Sequence, residues 1–358
     1  MRLLHITATH LNLAGGIPVV LKELVEAQNG VEGFESRVLS LKAPVAQMSS
    51  KYFDELKEEK LERYLDKFNP EIIILHSFYY TEYNSVVKTI VKRNIPYLIE
   101  PHGSFGKNAM KKGKLKKIIA NNTIFRKQIK KAKGFVFLNT NEMNDSVYRS
   151  QYDIVIPNGI DINDISYEVK GIKEKEHNFY FIGRYDIVHK GLDILLDALA
   201  LLDKEHYHLK VIFWGKGSEQ DTKYIKDKIK EFTYITVQCN EPLYGKDKEE
   251  TLEQIGPMLL TSRYEGLPMT ILEAWTYGNP CIVTPETNMS EEIAENNLGW
   301  TTSLDAHSIA ECIKQAQYEY EINSNEYIRN CKKYVAEHYL WSSIAKMSFD
   351  KLCGIINE

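Results

Sequence analysis

The chain has 358 residues, 43% of them hydrophobic, with a formal net charge of −4 and five cysteines. That length suits two domains with sizeable cores and excludes a small disulfide-stapled scaffold, and the absence of a long uncharged apolar run excludes a membrane-spanning helix. Residues 1–162 hold 24 Lys/Arg against 17 Asp/Glu, a net +7 that leaves −11 for the rest, so the N-terminal half is the one expected to meet an anionic partner.

The first strand is predicted over residues 3–8; it is no signal peptide, and a soluble, cytoplasmic protein is expected. Gly15 and Gly16 follow it and precede a helix over 18–28, a loop able to bring backbone close to a ligand. A Gly-x-Gly-x-x-Gly fingerprint is missing, which counts against a nicotinamide cofactor. Strands at 37–41, 72–76, 97–101, 134–138 and 154–156 alternate with helices such as 85–93, the pattern of a parallel sheet. His76 and His102 both fall at carboxyl ends of these strands, where such sheets place ligands. His76 is read as an acceptor-side residue.

Residues 107–133 contain eleven Lys/Arg and no acid, interleaved with Met110, Leu115, Ile118, Ile119, Ile124, Phe125 and Ile129. One basic amphipathic helix is predicted here, suited to an anionic membrane surface. The plainer alternative is a core-packing helix with a solvated basic face. Base-stacking aromatics are nearly absent from it, which argues against nucleic acid.

The turn Pro157-Asn158-Gly159 and the polar stretch through His177 mark a domain boundary near residue 160. A second series of strands follows at 179–182, 210–214, 235–238, 258–261 and 281–284, and a last helix over 340–356 carries Trp341, Ile344, Met347 and Leu352 on its apolar side. The five cysteines, Cys239, Cys281, Cys312, Cys331 and Cys353, have no metal-knuckle spacing and are read as reduced.

In the second half, Gly183, Arg184 and Lys190 follow a buried strand, and Gly215 follows the next one. Glu265 precedes a turn, and Glu273 lies inside a helix whose first position is predicted to be Pro268, where a missing N–H costs nothing. The first N–H groups of that helix, at Met269, Thr270 and Ile271 beside Leu267, make a seat for phosphate. A carboxylate on either side would accept hydrogen bonds from sugar and ribose hydroxyls.

The Glu265-x7-Glu273 spacing, the Gly183-Arg184…Lys190-Gly191 element, His102 and the Pro157-Asn158-Gly159 hinge resemble, in order and over nearly the whole chain, the retaining glycosyltransferases of family GT4. The family more often has Phe-Gly where this chain has Leu267-Pro268, and its usual glycine near the base is Glu241 here. The resemblance implies a GT-B fold: two Rossmann-like α/β domains facing across a cleft, with the C-terminal helix crossing back. Residues 1–160 plus 340–358 would form the acceptor domain, and residues 161–339 the donor domain. It implies a nucleotide-diphosphate sugar donor, UDP-sugar first, and a glycan or lipid-linked acceptor, in polysaccharide or cell-surface glycan synthesis. Arg184 and Lys190 would grip the diphosphate without a metal or other cofactor, with Glu265 on the donor sugar, Glu273 on the ribose and His102 on the far side of the sugar. Readings left beside it are a sugar-nucleotide epimerase of the same fold and a non-catalytic nucleotide-sugar or membrane-binding module.

Overall fold

A computed structural model describes residues 1–8, 16–42, 50–56, 60–111, 113–161 and 177–357. The chain divides into two units, Met1–Asp161 together with Tyr339–Glu358, and Ile162–His338. The first is built on β1 (Arg2–Thr7), β2 (Glu35–Ser40), β3 (Phe53–Glu55), β4 (Ile72–His76), β5 (Tyr97–Glu100), β6 (Gly134–Phe137) and β7 (Ile154–Val155), in spatial order β3-β2-β1-β4-β5-β6-β7. The second holds β8 (Phe179–Ile182), β9 (Leu209–Trp214), β10 (Ile235–Asn240), β11 (Met258–Leu260), β12 (Cys281–Val283) and β13 (Gly299–Thr301), in order β10-β9-β8-β11-β12-β13. Every pairing within both sheets is parallel.

The runs Ile72-Ile73-Ile74-Leu75 and Phe179-Tyr180-Phe181-Ile182 are buried throughout, because helices cover both faces of a parallel sheet. Each fully buried Leu or Ile there contributes roughly 1.5–3 kcal/mol of transfer free energy. Two strands were not expected from sequence, β3 and β13, each three residues long at a sheet edge. Helix Trp341–Asn357 belongs to the first unit: Phe349 meets Phe34 at 5.2 Å between ring centroids, and Lys351 Nζ donates to the Val155 carbonyl at 2.6 Å. Its start is tied to the hinge, where the Ile160 N–H donates to the Tyr339 carbonyl at 2.7 Å. A Cβ on Gly159 would lie 2.6 Å from the Trp341 ring, so only glycine fits there.

The single basic helix predicted over 107–133 is three: Lys107–Lys111, Lys114–Asn122 and Arg126–Lys131. Gly113, at φ 71°, and Thr123, at φ −120° and ψ −82°, interrupt it, since neither conformation continues a right-handed helix. All five cysteines are free. Among the described residues no helix is long and apolar enough to cross a membrane.

Candidate functional site

Of the predicted donor residues, Gly183, Arg184, Lys190, Gly215 and Glu265 lie in loops at the carboxyl ends of the second unit's strands. After β8 the chain presses onto its neighbours: a Cβ on Gly191, at φ 63°, would sit 2.0 Å from the Thr261 carbonyl oxygen, and one on Gly215 would sit 2.0 Å from that of Gly183. These two positions need glycine for both approach and, at Gly191, backbone conformation. The closeness delivers Lys190 to Glu265, with Nζ 2.6 Å from Oε1. Ser262 Oγ donates to the same oxygen at 2.7 Å, and Asn288 Nδ2 holds the Glu265 carbonyl at 2.6 Å. The carboxylate is therefore aimed by several partners rather than swinging freely.

His189 lies flat on Tyr264, 4.1 Å between centroids and 10° between planes, and its Nε2 donates to the Tyr264 carbonyl at 2.9 Å. Burial lowers its pKa against the opposing pull of Glu265, so the ring is neutral at physiological pH. Arg263 forks onto Asp193 with 2.8 and 2.7 Å contacts and reaches the Val188 carbonyl at 2.6 Å, bracing the Lys190 loop to the Glu265 loop. Arg184 is exposed, and its guanidinium makes no ion pair among the described residues.

Glu273 lies on helix Met269–Thr276, half-buried, with Lys248 Nζ 2.7 Å from its Oε1. Pro268 is the N-cap rather than the first helical residue; its ψ of 108° is extended, and the helix starts one position later than predicted. The Ile271 N–H, expected to face a ligand, donates instead to the Pro268 carbonyl at 2.9 Å. Met269 and Thr270 thus supply the helix-start donors, and the buried Thr270 hydroxyl has no partner among the described residues. Leu267 is buried and positions the turn.

The two histidines come together in the first unit. His102 follows β5 at φ 47°, a left-handed conformation uncommon for a residue with a Cβ. Its Nε2 is 3.2 Å from His76 Nδ1, and the Glu100 carboxylate lies 3.4 Å from His76 and 3.5 Å from His102. Burial, then the Glu142 carboxylate, push Glu100 up to about 8. Glu142 accepts the N–H groups of Gly103 at 2.6 Å and Leu138 at 2.7 Å, joining the loops after β5 and β6. His76, Glu100 and His102 offer ligand atoms within 4.8 Å of one another, the one set among the described residues that could close on a metal ion. Gly16 opens helix Gly16–Gln28, while Gly15 lies outside the described residues.

Sequence reasoning missed His189, Ser262, Asn288, Lys248, Glu100 and Glu142. Glu100 carried a signal, an acid closing the otherwise apolar β5. His189 and Ser262 stand beside Lys190 and Glu265 in the chain without a motif of their own, while Lys248 on helix Gly245–Gln254, Glu142 on helix Thr140–Asp145 and Asn288 meet their partners from distant positions, which no local pattern reveals.

Residues 163–334 match the family model described as Glycosyl transferases group 1. An uncharacterized glycosyltransferase of Methanocaldococcus jannaschii is 29% identical over 210 residues, covering 54% of this chain and 51% of that protein. A lipopolysaccharide 1,6-galactosyltransferase of Salmonella typhimurium is 29% identical over 146 residues, covering 36% of this chain and 38% of its own length. The chain thus spans about half the length of the first relative and less of the second. The structure of Anabaena HepE in complex with UDP aligns over 99% of this chain and 100% of its own, with a TM-score of 0.74 and 15% identity. The fold is GT-B, two Rossmann-like domains.

Proposed function

We propose that this chain is a retaining glycosyltransferase of the GT4 type, moving a sugar from a nucleotide-diphosphate sugar, UDP-sugar first, to a hydroxyl of a glycan or lipid-linked acceptor in polysaccharide or cell-surface glycan assembly. The observation that carries this reading is the contact between Lys190 and Glu265, close in sequence to the start of helix Met269–Thr276. A diphosphate would sit against that start and the cations of Arg184 and Lys190, and the donor-sugar hydroxyls on Glu265. Glu273 would take the ribose, and His102 the far side of the sugar. The match to Glycosyl transferases group 1, and the UDP bound to Anabaena HepE, support the same class of donor.

In the step itself the bond from the sugar's anomeric carbon to the diphosphate oxygen breaks, and the acceptor oxygen bonds on the face just vacated. The acceptor's proton passes to the departing phosphate oxygen. Arg184, Lys190 and the helix start offset the negative charge that grows on the leaving group, so no metal is assigned to it. Incubation with a panel of sugar nucleotides and acceptors, followed by NMR of the new anomeric centre, tests this. Product with the donor's anomeric configuration is expected, in the presence of EDTA; an inverted product, strict dependence on Mg²⁺ or Mn²⁺, or an altered donor formed without acceptor would each overturn it.

A lipid-linked acceptor gains support from the basic segment. Leu115 is 77% exposed and Ile119 64%, on the helix that also carries Lys116 and Lys117. Exposed aliphatic side chains beside lysines suit an anionic bilayer surface better than a purely solvated face. Replacing Leu115 and Ile119 with Ser should weaken sedimentation with vesicles of anionic lipid and leave transfer to a short soluble acceptor unchanged. Equal sedimentation of variant and parent would return the segment to a solvated basic face.

A further inference from the structure

The first unit contains a run of buried polar side chains that the transfer step does not use. It begins on helix Trp341–Asn357, where the Ser348 hydroxyl donates to the Ala345 carbonyl at 2.7 Å. Having one hydrogen, and that one spent, Ser348 Oγ can only accept from its other neighbour. The Gln28 atom 3.3 Å away is therefore the amide nitrogen, which fixes the orientation of the Gln28 side chain. Its Oε1 then faces Ser36 Oγ at 2.7 Å and His5 Nε2 at 3.1 Å, accepting from both.

His5 accordingly carries its hydrogen on Nε2. It is fully buried against the neutral Gln28 amide, where a charged ring would lack a compensating partner, so the ring is neutral and Nδ1 is bare. His76 Nε2 lies 2.7 Å from that bare nitrogen and must donate to it. The remaining His76 nitrogen, Nδ1, is left as an acceptor; His102 Nε2 is the nearer group at 3.2 Å, and a Glu100 carboxyl oxygen lies beyond it at 3.4 Å. Gln28, Ser36, His5 and His76 are each buried to within 1% of full exclusion from solvent. Water cannot scramble such a chain cheaply, because an unpaired buried donor or acceptor costs on the order of 1–3 kcal/mol.

We propose that Ser348, Gln28 and His5 dictate which nitrogen of His76 bears its hydrogen, and that His76 in turn holds the His102 ring by accepting from its Nε2–H. The C-terminal helix is then a positioning device for His102. Only the consequence for transfer rests on the function proposed above; the hydrogen placement stands on its own.

Imidazole nitrogens of the full ¹⁵N-labelled chain, observed by long-range ¹H–¹⁵N correlation, report the placement directly. At neutral pH, His5 and His76 are expected as single Nε2–H forms, with a hydrogen on His102 Nε2. Gln28→Glu sets a carboxylate against His5, which favours a second proton on that ring. Its Nδ1–H would then face His76 and reverse it to the Nδ1–H form, turning hydrogen against hydrogen at His102. Transfer should fall roughly tenfold to a hundredfold in kcat, the scale of a misplaced reacting group, with the donor KM little changed. Ser348→Ala is the milder variant, expected to fold and to give mixed forms of His76 as the Gln28 amide loses its anchor. An Nδ1–H form of His76 in the parent, an unchanged signature in both variants, or a reversed signature with undiminished transfer would overturn the proposal. A parent without transfer for any sugar nucleotide would count against the function, and the imidazole signatures would still decide the hydrogen chain.

Discussion

The two units hold the polar groups of their candidate sites in opposite ways. In the second, charges are paired with charges across strand-end loops and stay in reach of water: the side chains of Lys190 and Glu265 are 13% and 11% exposed, those of Arg263 and Asp193 28% and 30%. In the first, a histidine, glutamine and serine chain is sealed from solvent and built from neutral partners. A part-exposed ion pair is worth little in itself and exchanges readily for a ligand's charge. A buried neutral chain resists exchange and suits holding geometry.

The hardest test of that contrast removes the charges of the second unit. Lys190→Ala or Arg184→Ala should lower kcat by roughly a hundredfold to a thousandfold, as expected of a preorganised group that stabilises a leaving charge. Glu265→Ala should lose most transfer while still binding free nucleotide, since its partner is the sugar; Glu273→Ala should weaken nucleotide binding as well. Steady-state kinetics with calorimetry of nucleotide binding separates these effects, and near-normal turnover in all four variants would break the site assignment.

Sharpening the other side of the comparison calls for pH. Glu100, raised by burial and by Glu142 from its ordinary 4.5 to about 8, keeps a proton that the unfolded chain releases, so stability falls as pH rises from about 4.5 to about 8. His5 acts oppositely: lowered to about 4, it refuses a proton that the unfolded chain takes up below 6.5, so stability rises with pH from about 4 to 6.5. Of these two groups, Glu100 alone still contributes a slope above pH 6.5, and burial raises its neighbour Glu142 in the same direction. Thermal unfolding of the parent should therefore shift downward between pH 6.5 and 8, and Glu100→Gln should flatten that stretch. A variant as steep as the parent would show that the carboxyl is ionised in the fold.

Much of the architecture was legible because parallel strands are buried on both faces and read as apolar runs, as Ile72–His76 and Phe179–Ile182 do. The short edge strands Phe53–Glu55 and Gly299–Thr301 escaped, since three residues with few apolar side chains make no pattern. Gly113, at φ 71°, breaks the basic segment that was read as one helix. At the site, residue types and order pointed to Arg184, Lys190, Glu265 and Glu273. Their pairing did not follow, because Lys190 and Glu265 stand 75 residues apart and meet only where Gly191 lets two loops touch. The Pro268 position was misread by one residue because proline suits both the N-cap's extended conformation and the first helical turn.

The smallest effect expected concerns the brace between those loops. Arg263 makes two hydrogen bonds to Asp193 and one to the Val188 carbonyl, a fork that lysine cannot reproduce with its single ammonium. Both partners are partly exposed, so Arg263→Lys should cost only about 0.2–1 kcal/mol of stability, a shift of a few degrees at most in the melting temperature. The brace sets the distance between Lys190 and Glu265, however, and a site that binds by exchanging paired charges depends on that distance. The donor KM should therefore rise several-fold in Arg263→Lys while the melting temperature hardly moves, and Asp193→Asn should behave alike. If stability instead falls in proportion as the donor KM rises, the brace is ordinary scaffolding, and the second unit holds its charges by the same means as the buried chain of the first.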